Sequence, residues 1–163
     1  IDSDILQEVL SHYTINNGRM EAFQMGSNDV TLNLAKNPVG ANMTLRVMNE
    51  MQGEKELLFV LNDNIADGLD VSWIWDINFS TFRNVTRVVT SGTRAYDIAV
   101  RIKCSGYDAR NIVVRPDLDE AVAELNTTQG KKFVIANYTA VQPTRSALQR
   151  WIAHHGGAAH ETN

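Results

Sequence analysis

The apolar positions of this chain follow two rhythms. Short segments with an unbroken apolar core stand at 57–61, 87–90, 111–114 and 133–136. Each reads as a strand covered on both faces, as in a parallel sheet. Between them the spacing is helical. A helix from Arg94 carries Ala95, Ile98, Ala99 and Ile102 on one face, and one from Asp117 carries Leu118, Ala121, Val122 and Leu125. A last helix starts near Pro143 with Ala147, Leu148, Trp151 and Ile152. Strand and helix in alternation predict the α/β class: a Rossmann-like, mostly parallel sheet flanked by helices.

The first third breaks that regularity. Ser3 or Asp4 caps a helix over Ile5, Leu6, Val9 and Leu10, and Asn16-Asn17-Gly18 is turn chemistry. Two strands, 19–25 and 29–35, flank Gly26-Ser27-Asn28. In the second, Val30, Leu32 and Leu34 alternate with Thr31 and Asn33, the pattern of a half-exposed edge strand. Asn37-Pro38 supplies a cap and a first-turn proline for a helix to about Met51, with apolar Val39, Met43 and Val47 four residues apart. An antiparallel edge near the N-terminus is therefore expected, and a small, polar tail from Gly156 is expected to fray.

Bulk properties narrow the classes. The 163 residues fit one domain with a real core, and a net charge of -4 without any basic run argues against a nucleic-acid partner. The single cysteine, Cys104, excludes an internal disulfide framework and a multi-cysteine metal site; on the flank of a predicted helix it reads as a packing residue. No apolar run approaches the ~20 residues of a membrane span. Ile1-Asp2-Ser3-Asp4 carries neither an initiator methionine nor a signal peptide, so a piece of a longer chain is expected. His12, His154, His155 and His160 have no metal-ligand spacing, and the adjacent pair suits an exposed helix end.

The candidate chemistry gathers after the run at 57–61. Asn62-Asp63-Asn64-Ile65-Ala66-Asp67-Gly68-Leu69-Asp70-Val71-Ser72-Trp73-Ile74-Trp75-Asp76 holds four aspartates and two tryptophans. A calcium loop starting at Asp63 would put Ile65 and Ile74 where oxygen ligands are required, and fails. A receiver-like phospho-acceptor site wants a lysine after a late strand, where Asn137-Tyr138-Thr139 stands; it remains an alternative. The plainest reading is that some aspartates cap turns, Asp70 being the N-cap of 71–75. Lys36, at a strand end and helix start, can hold an anion or simply be solvated. Ser91-Gly92-Thr93-Arg94 lacks the dinucleotide fingerprint, and Gly130-Lys131-Lys132 is no Walker motif.

Three stretches together resemble a known family. Asn17-Gly18-Arg19-Met20-Glu21 resembles the segment joining the central and C-terminal domains of Mur ligases. Leu34-Ala35-Lys36-Asn37-Pro38-Val39-Gly40 is similar to their Ala-His-Asn-Pro motif, with lysine in the histidine's place. The stretch Asn62 to Asp76 is similar to the signature of the MurT branch, the Mur-ligase-like subunits of lipid II isoglutaminyl synthase, and Ser91-Gly92-Thr93-Arg94-Ala95 and Asn137-Tyr138-Thr139 also resemble it. The resemblance runs from about Asn16 to Arg150. It implies a Mur-ligase C-terminal-type domain that carries no cofactor itself, with ATP, magnesium and a structural zinc belonging to a central domain.

It further implies a glutamine amidotransferase partner, GatD, and a complex that amidates the α-carboxylate of D-glutamate in lipid II at the cytoplasmic face of the membrane. Asp70 falls where the family supplies the acid that completes the partner's Cys-His pair. Lys36 and Asn37 match residues that face the nucleotide, and Asp67, Trp73 and Trp75 are candidate contact residues. Leu69 stands where an arginine usually precedes the aspartate.

Overall fold

The computed structural model describes residues 19–155; the expected first helix, the Asn16-Asn17-Gly18 turn and the tail from Gly156 lie outside them. The elements are β1 (Glu21–Met25), β2 (Asn28–Leu34), α1 (Pro38–Glu50), β3 (Lys55–Val60), β4 (Val85–Ser91), α2 (Ala95–Cys104), β5 (Ile112–Val114), α3 (Leu118–Leu125), β6 (Lys131–Ala136) and α4 (Tyr138–His155). Three short 3₁₀ turns, Ile65–Asp67, Ser72–Asp76 and Phe79–Thr81, connect β3 to β4.

The strands form one sheet in the order β1-β2-β6-β3-β4-β5. β1 pairs antiparallel with β2, and every other pairing is parallel. The antiparallel edge is thus present, but β1 is the edge; β2 lies inside it against β6, a place its alternating pattern did not announce. β3 and β6 are central, and every residue of β3 is buried, as expected of a strand with helices on both faces. One face packs Leu58, Val60, Val89 and Val134 against α3 and α4 through Ala121, Val122, Leu125 and Leu148. The other packs Leu57, Phe59, Val88 and Ile135 against Leu45 and Met48 of α1, Ile98 and Ile102 of α2, and Ile74, Ile77 and Phe79 of the β3–β4 connection.

Helix phases follow the sequence in α2, α3 and α4, where Ala147, Leu148, Trp151 and Ile152 pack on the first core face, and depart from it in α1. In α1 the buried face is Ala41, Thr44, Leu45 and Met48, while Val39 and Met43 are exposed. The i, i+3, i+4, i+7 set that includes a threonine is the one that meets the sheet. α4 starts at Tyr138, five residues ahead of the expected start, with Pro143 inside it. Cys104 ends α2 exposed, so it has no packing role; Ile102, two residues earlier, takes the buried place. His155 closes α4 at an exposed end, its ring stacked on Trp151 at 4.5 Å. No helix among the described residues is long and apolar enough to cross a membrane.

Candidate functional site

Parallel strands deliver their following loops to one edge of the sheet, the usual place for α/β chemistry. At that edge lie Lys36 after β2, the 62–76 connection after β3, Gly92-Thr93-Arg94 after β4 and Asn137-Tyr138-Thr139 after β6. The start of the connection is tied to its neighbours. Asn137 Oδ1 accepts from the Asn62 N–H at 3.0 Å and its amide donates to the Asn62 carbonyl at 2.7 Å. A lysine at 137 would have suited a phospho-acceptor site; the asparagine instead clips two strand ends together. Gly92 lets β4 approach: it has φ +91°, and a Cβ there would lie 2.5 Å from the Leu61 carbonyl oxygen, which leaves room for glycine alone.

Two of the four aspartates are consumed by this scaffold. Asp63 accepts from the Thr93 hydroxyl at 2.7 Å and from Arg94 Nε at 2.8 Å. The Thr93 hydroxyl first, and Arg94 beside it, hold the Asp63 carboxyl below its ordinary range. Asp67 receives the Thr139 N–H at 2.8 Å and the Thr139 hydroxyl on its other oxygen. It therefore serves as the cap of α4, an anion at a helix N-terminus. The Thr139 hydroxyl also accepts from Asn64 Nδ2 at 2.8 Å and Asn62 Nδ2 at 3.3 Å. One donor and two lone pairs are all used.

Beyond Gly68 the connection turns outward. Leu69 and Asp70 are exposed. Asp70 Oδ1 accepts the Ser72 N–H at 2.7 Å, and this backbone bond keeps its carboxyl below the ordinary range. The 3₁₀ turn's own N-cap is Val71, so Asp70, expected as that cap, instead closes an Asx turn one residue ahead of it. The Ser72 hydroxyl favours the charged form as well, so Ser72 alone, two residues on, orients a carboxylate that stands exposed. Asp76 is exposed too, but nothing among the described residues holds its side chain; only its carbonyl is engaged, by Asn42 Nδ2 at 3.2 Å.

The tryptophans divide. Trp73 packs partly buried against the second core face. It shares a small pocket of about 170 Å³ with Lys36, Ala66, Asp67, Asn137 and Tyr138. Trp75 is 55% exposed. Lys36 Nζ sits 4.3 Å above the Tyr138 ring, a cation–π contact that parks the cation at the strand ends. Asn37 caps α1, its Oδ1 accepting from the Gly40 N–H at 2.9 Å. The structure thus gathers Lys36, Asp67 and Trp73 in one pocket, and sets Asp70 and Trp75 on the outer half of the connection. No three His, Cys, Asp or Glu side chains among the described residues lie together so as to hold a metal ion.

Several positioning residues were missed by sequence reasoning. Arg101 of α2 reaches under the 72–76 turn, donating to the Ile74 carbonyl at 3.2 Å and the Ile77 carbonyl at 2.5 Å, with its guanidinium 5.5 Å from the Trp75 and Phe79 rings. It caps carbonyls left over at the end of the turn. Asn42 and Asn49 grip the tail of the connection from α1, accepting from Asn78 N–H at 2.8 Å and Arg83 N–H at 3.0 Å. The one trace in the sequence is that two asparagines seven residues apart share a helix face.

The sequence of this arrangement has relatives. Residues 34–141 match the MurT ligase C-terminal family. The chain is 37% identical over 140 residues to the lipid II isoglutaminyl synthase (glutamine-hydrolyzing) subunit MurT of Staphylococcus aureus, covering 85% of this chain and 32% of that protein. It is 32% identical over 150 residues to the subunit of that name in Streptococcus pneumoniae, covering 90% and 34%. It therefore spans about a third of the length of these relatives. By fold it is similar to the MurC ligase of Thermotoga maritima, with TM-score 0.68 at 11% identity over 98% of this chain and 34% of that one. The MurF ligase of Acinetobacter baumannii gives 0.64 at 15%, over 92% and 33%. The fold is that of Mur ligase C-terminal domains, and the chain belongs to the MurT ligase C-terminal family.

Proposed function

We propose that this chain is the C-terminal domain of a MurT subunit in a glutamine-hydrolysing lipid II isoglutaminyl synthase, and that it docks a GatD glutaminase and completes its Cys-His pair with Asp70. The observation that carries this is the state of Asp70 within its loop. Asp63 and Asp67 are spent on distant parts of the chain, whereas Asp70 is exposed and held only by Ser72, two residues on. A third triad member needs this combination, since it must hold a histidine ring in one orientation and stay charged while the imidazolium forms.

The chemistry divides between the subunits. GatD's cysteine attacks the amide carbon of glutamine, and its histidine takes the thiol proton and passes it to the departing ammonia. Water then releases glutamate. Asp70 makes that histidine an effective base only when the subunits are together, which ties ammonia release to the presence of the ligase. The ammonia is joined to the α-carboxylate of D-glutamate in lipid II at the inner face of the membrane. ATP, held with magnesium in a central domain that also carries a zinc, supplies the energy for activating that carboxylate. Lys36, exposed beside the N-terminus of α1, fits a nucleotide phosphate brought to it by the central domain; Asn37 keeps that helix start in place.

The test is Asp70→Asn in the two-subunit complex. Glutaminase kcat should fall about 10²-fold or more, since a neutral amide neither orients nor charges the histidine correctly, while subunit affinity stays as in the wild type. Asp76→Asn should leave kcat unchanged. Wild-type turnover in Asp70→Asn would remove the assignment.

A further inference from the structure

Beside Asp70 the connection and α2 enclose a groove of about 230 Å³, walled by Val71, Ile74 and Trp75 on one side and Tyr96, Asp97 and Val100 on the other. Tyr96 and Val100, one turn apart on α2, are 66% and 53% exposed. α2 already buries Ala95, Ile98, Ala99 and Ile102 against the sheet, so among the described residues the two bulky apolar side chains on its outer face stay largely uncovered. With Trp75, 55% exposed, they line a groove whose Val71-Ser72 wall follows Asp70 directly in the chain.

The groove is preformed. Arg101 holds the Ile74 and Ile77 carbonyls and lies under Trp75, so the tryptophan wall does not have to be ordered on binding. Its rim is acidic. Asp70, Asp76 and Asp97 are exposed around it; Arg94 is shared between Asp63 at 2.8 Å and Asp97 at 3.6 Å, which leaves Asp97 only partly neutralised, and Arg101 is committed to the carbonyls. Among the described residues Lys103, at the far end of this helix, is the remaining cation of α2. The recognition chemistry is thus an apolar slot with a negative border.

We infer that this groove anchors the glutaminase subunit: it receives an apolar side chain of that subunit, with a lysine or arginine next to it meeting Asp97, and so supplies docking affinity beside Asp70 without touching the reacting groups. The inference rests on the docking reading above and adds to it residues outside the acidic loop. Leu69, where an arginine usually stands, fits the same account, because it is exposed next to Asp70 and puts no cation there, leaving the basic partner to the other subunit.

The test uses the full-length ligase chain with GatD, reading affinity by calorimetry and glutaminase kcat at saturating ligase chain. Tyr96→Ala and Val100→Asp should each weaken binding about tenfold or more, and Asp97→Lys about threefold or more with a flatter salt dependence. In all three, kcat at saturation should remain within about twofold of wild type, since none touches the reacting groups. Wild-type affinity in both Tyr96→Ala and Val100→Asp overturns the slot. Loss of kcat without loss of affinity overturns it as well, because these residues would then act on chemistry. Failure of the underlying reading looks different: Asp70→Asn keeps its turnover, or the unsubstituted chain does not bind GatD.

Discussion

The two ends of the sheet handle charge in opposite ways. At the starts of β3 and β6, Glu56 and Lys132 sit opposite each other in register, 3.1 Å apart with side chains 5% and 1% exposed. The Thr128 hydroxyl donates to Glu56 and accepts from Lys132 at 2.7 Å. Nearby, Lys55 is also buried, donating to the Gly53 and Arg83 carbonyls at 3.1 and 3.2 Å. At the strand ends the charges line the surface, and two of four acids are tied to threonines while Asp70 stays open. The same residue types therefore serve strand register at one end and presentation at the other. What separates them is solvent: a buried pair must be satisfied internally, whereas an exposed carboxylate can wait for a partner.

That contrast predicts where damage is largest. Lys132→Ala leaves Glu56 buried without its cation, and should lower unfolding free energy by about 3–5 kcal/mol. Glu56→Leu combined with Lys132→Met should restore most of it, since apolar replacements of similar volume need no partner. Glutaminase turnover per folded complex should not change. Urea unfolding of the single and double variants decides this, and a loss below about 1 kcal/mol in Lys132→Ala would break the contrast.

A smaller effect is expected at the other end. Thr139→Val removes the hydroxyl that joins Asp67 to Asn62 and Asn64. The cost should be about 1–2 kcal/mol, since solvent can partly replace these bonds. The more telling readout is local: amides of Gly68 to Val71 should exchange faster with deuterium while those of β3 do not. Unchanged exchange at the tip would mean that Arg101, not the threonine knot, holds Asp70 in place.

Much of this architecture can be read along the chain. The buried runs of β3 and β6 and the faces of α2 and α3 follow directly from periodicity, because each is decided by the nearest apolar neighbours. The acidic connection could be picked out, and within it Asp70, from its likeness to a family. What the sequence hides is long-range. α4 begins at Tyr138 because Asp67, seventy-two residues earlier, caps Thr139, so the local cue at Pro143 pointed to the wrong start. α1 turns Val39 and Met43 outward because phase is set by what covers the sheet, and two interleaved apolar sets were available. Arg101 gives no sign of its role, since the carbonyls that it caps belong to a turn twenty-four and twenty-seven residues away.

The smallest effect concerns Asp63, which is tied to the scaffold yet partly exposed. Its folded-state pKa lies below the ordinary 3.8 because the Thr93 hydroxyl and Arg94 favour the charged form. A carboxyl depressed on folding adds stability that is fully present above its unfolded pKa and is lost as pH falls through the folded one. Asp63→Asn keeps an acceptor for Thr93 but gives up the charge facing Arg94. The melting temperatures of wild type and variant should therefore differ at neutral pH, keep that difference down to about pH 4, and converge below it as Asp63 takes up its proton. The curves should cross no other step in this range on account of this residue. A gap that stays constant to pH 2 would show that Asp63 acts only as a hydrogen-bond acceptor, and the division between committed and open aspartates would then rest on geometry alone.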